Sequence, residues 1–153
     1  MSLSCDVIAR LSGRTIATAE SLTGGGIGAA LTAIPGSSAV YKGGVISYTN
    51  DVKSRILGVA AATLEMYGAV SEQTAGEMAT GVRKLLNADV AVSVTGLAGP
   101  GGDEFGHPVG TVFIGYEDSA HAVVRCYCFE GDRETVRKKT IEAALRLILE
   151  FLF

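Results

Sequence analysis

The chain has 153 residues, with 13 Lys+Arg against 16 Asp+Glu and a formal net charge of -3. One domain of this length buries roughly 70% of its unfolded surface and needs no staples. With no long basic run, the electrostatic footprint of a nucleic-acid binder is excluded, and no apolar run reaches the roughly 20 residues of a membrane span.

Met1 to Arg10 has no positively charged leader, no sustained apolar run and no small-residue cleavage site, so a cytoplasmic location is expected. The three cysteines fit that expectation. Cys126 and Cys128 alternate along a strand-like run, Cys5 is distant, and the odd count argues for reduced, structural thiols. The 20 glycines and the 48% hydrophobic fraction describe a buried α/β core with scope for an apolar subunit interface.

In chain order, Met1 to Leu11 reads as a leading helix, Arg14 to Ala19 as a first strand, and Thr23 to Ile34 as a helix stopped by Pro35-Gly36. Gly44 to Tyr48 reads as the second strand. Asn50 caps a helix over Asp51 to Leu57, Ala60 to Tyr67 follows, and Ser71-Glu72-Gln73-Thr74 opens a longer helix reaching Leu86. Asp89 to Thr95 is an apolar central strand. Gly96 to Gly110 holds too many glycines and prolines for regular structure, and a loop of that length is usually functional. Thr111 to Tyr116 and Ala120 to Phe129 are strands joined by a hairpin-like turn at Glu117-Asp118-Ser119.

Asp132 to Phe153 closes the chain as a helix, with Val136, Thr140, Ala143, Leu147 and Phe151 at helical spacing toward the sheet. Leu145, Ile148, Leu149, Leu152 and Phe153 widen that stripe beyond the needs of one sheet face. Part of the C-terminus is therefore expected to pack on another subunit of a homo-oligomer, with a deeply buried helix as the alternative. The alternation of strands and helices without a linker predicts one domain over residues 1–153, an α/β fold. Its architecture is a three-layer α/β/α sandwich around a mixed, mostly parallel sheet of about five or six strands.

Three segments end strands with polar groups: Glu20-Ser21-Leu22-Thr23-Gly24-Gly25, Tyr48-Thr49-Asn50-Asp51-Val52-Lys53, and Thr95-Gly96-Leu97-Ala98-Gly99-Pro100-Gly101-Gly102. Parallel strands place such ends on one rim, where ligands bind. With Pro108-Val109-Gly110-Thr111-Val112, these segments resemble the C-terminal domain of the competence/damage-inducible CinA proteins, including stand-alone nicotinamide-nucleotide amidohydrolases of the PncC type. The resemblance runs from about Ser12 to Leu149. It implies a three-layer α/β fold and hydrolysis of nicotinamide mononucleotide to nicotinate mononucleotide and ammonia.

The resemblance assigns the nucleophile to Ser21, since amide hydrolysis through an acyl-enzyme needs an exposed hydroxyl near a base. From spacing alone, an N-cap role for this serine stands beside catalysis. The only histidines, His107 and His121, do not sit in the setting of a triad, which leaves a Ser-Lys arrangement. Lys53 matches the family's lysine and is expected in the first turn of a helix, whose positive end, with partial burial, lowers its pKa. Tyr48 is expected to relay a proton between Ser21 and Lys53 or to bond the substrate amide. A solvated lysine and a packing tyrosine are the structural alternatives.

Thr95 is expected to orient the carboxamide, and backbone N–H groups near Thr23 or Gly96 to hold the oxyanion. Gly24, Gly25 and Gly99 allow close backbone approach, and Arg137 lies where the family carries a substrate-contacting arginine, Arg133 one turn before it. Glu20 is expected to hold the turn or Lys53. No dinucleotide fingerprint or P-loop is present, and Asp103, Glu104 and His107 have no fixed ligand spacing, so neither a cofactor nor a metal is expected. The partner is then a small-molecule nucleotide, with a non-catalytic pyridine-nucleotide or ADP-ribose binding module, or an oligomeric interaction module, as alternative.

Overall fold

The computed structural model describes residues 2–152. Its elements are α1 (Leu3–Leu11), β1 (Ile16–Glu20), α2 (Gly26–Thr32), a 3-10 turn at Ser37–Ala39, β2 (Tyr41–Ile46), α3 (Asn50–Arg55), α4 (Ala61–Tyr67) and α5 (Glu72–Leu85). They continue with β3 (Val90–Gly96), β4 (Thr111–Glu117), β5 (Ala122–Cys128) and α6 (Arg133–Phe151). Met1 and Phe153, assigned to the terminal helices from sequence, lie outside the described residues.

The sheet order is β2-β1-β3-β4-β5. β1 pairs in parallel with both β2 and β3, while β4 runs antiparallel to β3 and β5, so only β4 opposes the common strand direction. All five residues of β1 are buried, as a central strand covered on both faces demands. Its side chains alternate: Ile16 joins one core with Val90, Val92 and Val94, and Ala17 and Ala19 join another with Met78 and Val82. α1, α2 and α6 cover the first face, and α5, with short α4 packed on it, covers the second. This is the three-layer sandwich expected from sequence.

Several boundaries differ from the sequence reading. α2 starts at Gly26 because the preceding residues make two turns, with Gly24 and Gly25 at φ 58 and 100, a region that glycine alone enters freely. β2 runs from Tyr41 to Ile46, leaving Ser47 and Tyr48 beyond the strand. β1 reaches Glu20, one residue past the expected end. β5 begins at Ala122 because the Asp118 carboxylate takes the N–H groups of Ala120 and His121 at 2.8 and 2.7 Å, closing the hairpin turn around itself.

The described part of the wide apolar stripe of α6 is covered within the chain. Leu145, Ile148 and Leu152 are buried with Val7 and Leu11 of α1, and Leu149 packs partly buried against the same core. The sequence does not show that a nine-residue helix 130 positions away fills that side. The three cysteines are unpaired, and Cys126 and Cys128 are exposed on edge strand β5, so they are not core thiols.

Candidate active site

The chain leaves β1 for β2 on one side and β3 for β4 on the other, which makes the carboxyl ends of β1 and β3 the switch point of the sheet. Ser21 sits there. Its N–H donates to Val94 O at 3.1 Å, extending the β1–β3 register by one residue, and its side chain shares the α5 face with Ala17 and Ala19. Two turns follow, closed by Gly24 N–H to Ser21 O and Gly26 N–H to Thr23 O at 3.1 and 3.0 Å.

Glu20 points to the other face. Its carboxylate, 2% exposed, accepts from Thr23 Oγ1 and from the N–H groups of Ile27 and Gly28 at 2.9 and 3.0 Å, capping α2 with a charge that suits a helix N-terminus. Of the two roles expected for Glu20, holding the turn is the one found. The Thr23 hydroxyl serves that cap and faces away from Ser21.

Lys53 approaches Ser21 from α3. Its Nζ donates to Ser21 Oγ at 3.1 Å, to Ser47 O at 2.7 Å and to Tyr48 O at 3.4 Å. Ser47 is itself fixed to β1, its N–H on Glu20 O at 2.7 Å. Lys53 is 1% exposed, and among the described residues it has no carboxylate partner within ion-pair distance. Burial lowers its pKa to about 8. The expected helix-end contribution is corrected: Lys53 lies in the last turn of a six-residue helix, and desolvation is the cause.

Tyr48 is placed differently from the expected relay. It is 57% exposed, and its phenol oxygen accepts from Arg133 Nη2 at 3.0 Å, while Ser21 and Lys53 touch each other directly. With β2 ending at Ile46, strand alternation no longer sets the direction of residue 48. Arg133 Nη1 also donates to Gly99 O at 2.7 Å, so the start of α6 ties the β2–α3 loop to the β3–β4 loop. The sequence offers Arg133 and Arg137 as a guanidinium pair on one face of the last helix, with a solvated helix face as the alternative; the bridge made by Arg133 depends on where α6 begins over the rim.

Arg137 holds backbone: its Nε donates to Leu22 O at 2.9 Å and its Nη2 to Thr23 O at 3.2 Å. Thr95 lies beside Ser21 in register, but its hydroxyl donates to Ala69 O at 2.7 Å, fixing the loop before α5. Gly96 is a packing requirement, since a Cβ there would stand 2.7 Å from Thr111 O. At Gly99, φ is +94 and a Cβ would strike Val109. Asp103 closes its own loop, bonding His107 Nδ1 at 2.7 Å and the N–H groups of Phe105 and His107.

A cavity of about 220 Å³ lies beside the Ser21 turn, lined by Thr18, Glu20, Gly25, Tyr41 and Ile46 among others. A larger groove of about 980 Å³ between α5 and β5 reaches neither Ser21 nor Lys53, so size alone does not locate the chemistry.

Two N–H bonds of a neutral Lys53 amine are matched by the two carbonyls, which turns its lone pair toward the Ser21 hydroxyl. A three-layer α/β/α domain with a buried serine-lysine pair at the carboxyl rim of its sheet is the class that fold and site define. The family model of the CinA C-terminal domain matches residues 2–152, and the chain belongs to that family. A CinA-like protein of Thermotoga neapolitana is 45% identical over 150 residues, 96% of this chain and 36% of that protein. A putative competence-damage inducible protein of Desulforamulus reducens is 50% identical over 141 residues, 92% and 34% respectively. The chain thus spans about a third of the length of these relatives. The crystal structure of the competence damage-inducible protein A from Klebsiella pneumoniae superposes with a TM-score of 0.96 at 39% identity, covering 98% of this chain and 94% of that one. For the competence/damage inducible protein of Agrobacterium tumefaciens, the TM-score is 0.90 at 40% identity, with coverages of 97% and 92%.

Proposed function

We propose that this chain hydrolyses the carboxamide of nicotinamide mononucleotide to nicotinate mononucleotide and ammonia, with Ser21 as nucleophile and Lys53 as base. The observation that carries the reading is the 3.1 Å contact between Ser21 Oγ and a buried lysine whose pKa is lowered to about 8. Neutral Lys53 takes the hydroxyl proton as Oγ bonds the carboxamide carbon, then passes it to the nitrogen, so that ammonia leaves and an acyl-enzyme remains. Water, deprotonated by Lys53, attacks the acyl carbon. Oγ departs and recovers its proton. The oxyanion of each tetrahedral state falls to N–H groups of the Ser21 turn. Because Ile27 and Gly28 are committed to Glu20, the phosphate falls to other donors of the rim, of which Arg133 is the exposed guanidinium.

Ammonia release from nicotinamide mononucleotide tests this. Wild type should turn over, and Ser21→Ala should lose activity by about a million-fold while its unfolding midpoint is kept. Tight binding by wild type without ammonia would overturn the reading in favour of a non-catalytic nucleotide-binding module.

A further inference from the structure

We infer that Arg137 is the positioning residue for the oxyanion-binding amide of the Ser21 turn, rather than a contact for the substrate phosphate. The inference takes its reaction from the amidase reading above, and its geometry stands apart from it. The guanidinium reaches from α6 onto two successive carbonyls, Nε to Leu22 O at 2.9 Å and Nη2 to Thr23 O at 3.2 Å. In a trans peptide the C=O and N–H point opposite ways. With Leu22 O drawn toward α6, the Thr23 N–H is turned away from that helix, toward the side of the sheet that holds Ser21 Oγ and Lys53.

The N–H groups of Ser21, Gly24 and Gly26 are committed within the fold, whereas those of Leu22, Thr23 and Gly25 have no acceptor among the described residues, and of these three only the Thr23 N–H belongs to the peptide whose carbonyl Arg137 Nε holds. Thr23 is only 1% exposed, so this donor is unused and dry, the condition under which an oxyanion bond counts most. A charged donor on Leu22 O also polarises that peptide and strengthens its N–H as a donor. Gly24, at φ +58, lies beside the guanidinium: a Cβ there would be in ordinary contact with Nη2 at 3.6 Å. The edge of Arg137 that would grip a phosphate side-on is the one already on the two carbonyls.

The test compares wild type, Arg137→Ala and Arg137→Lys with nicotinamide mononucleotide and with nicotinamide riboside, which has no phosphate. In parallel, the rate at which a fluorophosphonate labels Ser21 is measured; there Oγ bonds phosphorus, fluoride leaves and Lys53 takes the proton. A misplaced donor costs about 100-fold in rate. The expected result is a fall of that size in kcat on both substrates, with KM nearly unchanged and labelling slowed in step. A rise in KM confined to the nucleotide, with kcat and labelling unchanged, would overturn the inference. Should Arg137→Ala melt at the assay temperature, Arg137→Lys decides, since it keeps the charge but cannot span both carbonyls. If wild type labels at Ser21 yet releases no ammonia, the amidase reading fails and labelling alone decides Arg137. If it neither labels nor turns over, both fall.

Discussion

A lysine that is 1% exposed and has only carbonyl and hydroxyl oxygens for company is costly to keep protonated. Unfolded, such a side chain holds its proton to about 10.4; folded, Lys53 releases it above about 8. Between these values the unfolded chain binds more protons, so this group's contribution to stability rises with pH there. Below about 8 both states are protonated and the folded protein carries the full penalty, on the order of 3 kcal/mol. Lys53→Met should therefore raise the midpoint of urea unfolding at pH 7 while abolishing ammonia release. A lower midpoint would mean that the amine's bonds to Ser47 and Tyr48 outweigh its desolvation. The pairing of Ser21 with Lys53 was legible in the sequence only through the resemblance, because 32 residues separate them and no periodicity links a turn to a short helix. The relay expected of Tyr48, one of its two expected roles, is not formed because the phase of strand alternation is lost once β2 stops.

Among the elements, α3 and the segment after it set the position of Lys53. Val59 N–H donates to Lys53 O at 3.0 Å, and Leu57 and Val59 lie buried with Met78 and Val82 of α5. Gly81 on α5 lets the Leu57 carbonyl approach so closely that a Cβ would be 1.9 Å from it. Gly81→Ala should destabilise the fold by about 2 kcal/mol or more, as overpacking does, and lower kcat by shifting α3. Denaturant titration alongside the ammonia assay reads both, and a variant with wild-type stability and rate would refute this packing. Element types and their order were plain from hydrophobic period and punctuation. The strand ends at Glu20 and Ser47 are set by hydrogen bonds between distant segments, Ser21 N–H on Val94 O and Ser47 on Glu20 O, that no local window contains, whereas the start of α2 at Gly26 follows from the local glycine turns.

For the molecule as a whole, of the two fates the sequence leaves open for the α6 stripe, a subunit interface or burial within the chain, the described residues show burial. α1 lies against α6, and Val7 is fully buried with Leu145 and Ile148. Val7→Asp places an unpaired carboxylate in that core and should cost about 3 kcal/mol or more in denaturant unfolding. A loss below about 1 kcal/mol would show that α1 is not integral to the body. Among the described residues, no helix is long and apolar enough to cross a membrane. The closed scaffold holds the two rim arginines on the Ser21 turn and the Gly99 loop, and keeps Lys53 dry beside Ser21. That dryness is the central claim, and the pH dependence of kcat/KM for nicotinamide mononucleotide tests it most directly. A lysine base with a pKa lowered to about 8 predicts a rate that climbs from pH 6 and levels off above about 8, with about one enzyme in ten active at pH 7. A profile flat from pH 6 to 9, or one that levels off near the histidine pKa, would contradict it.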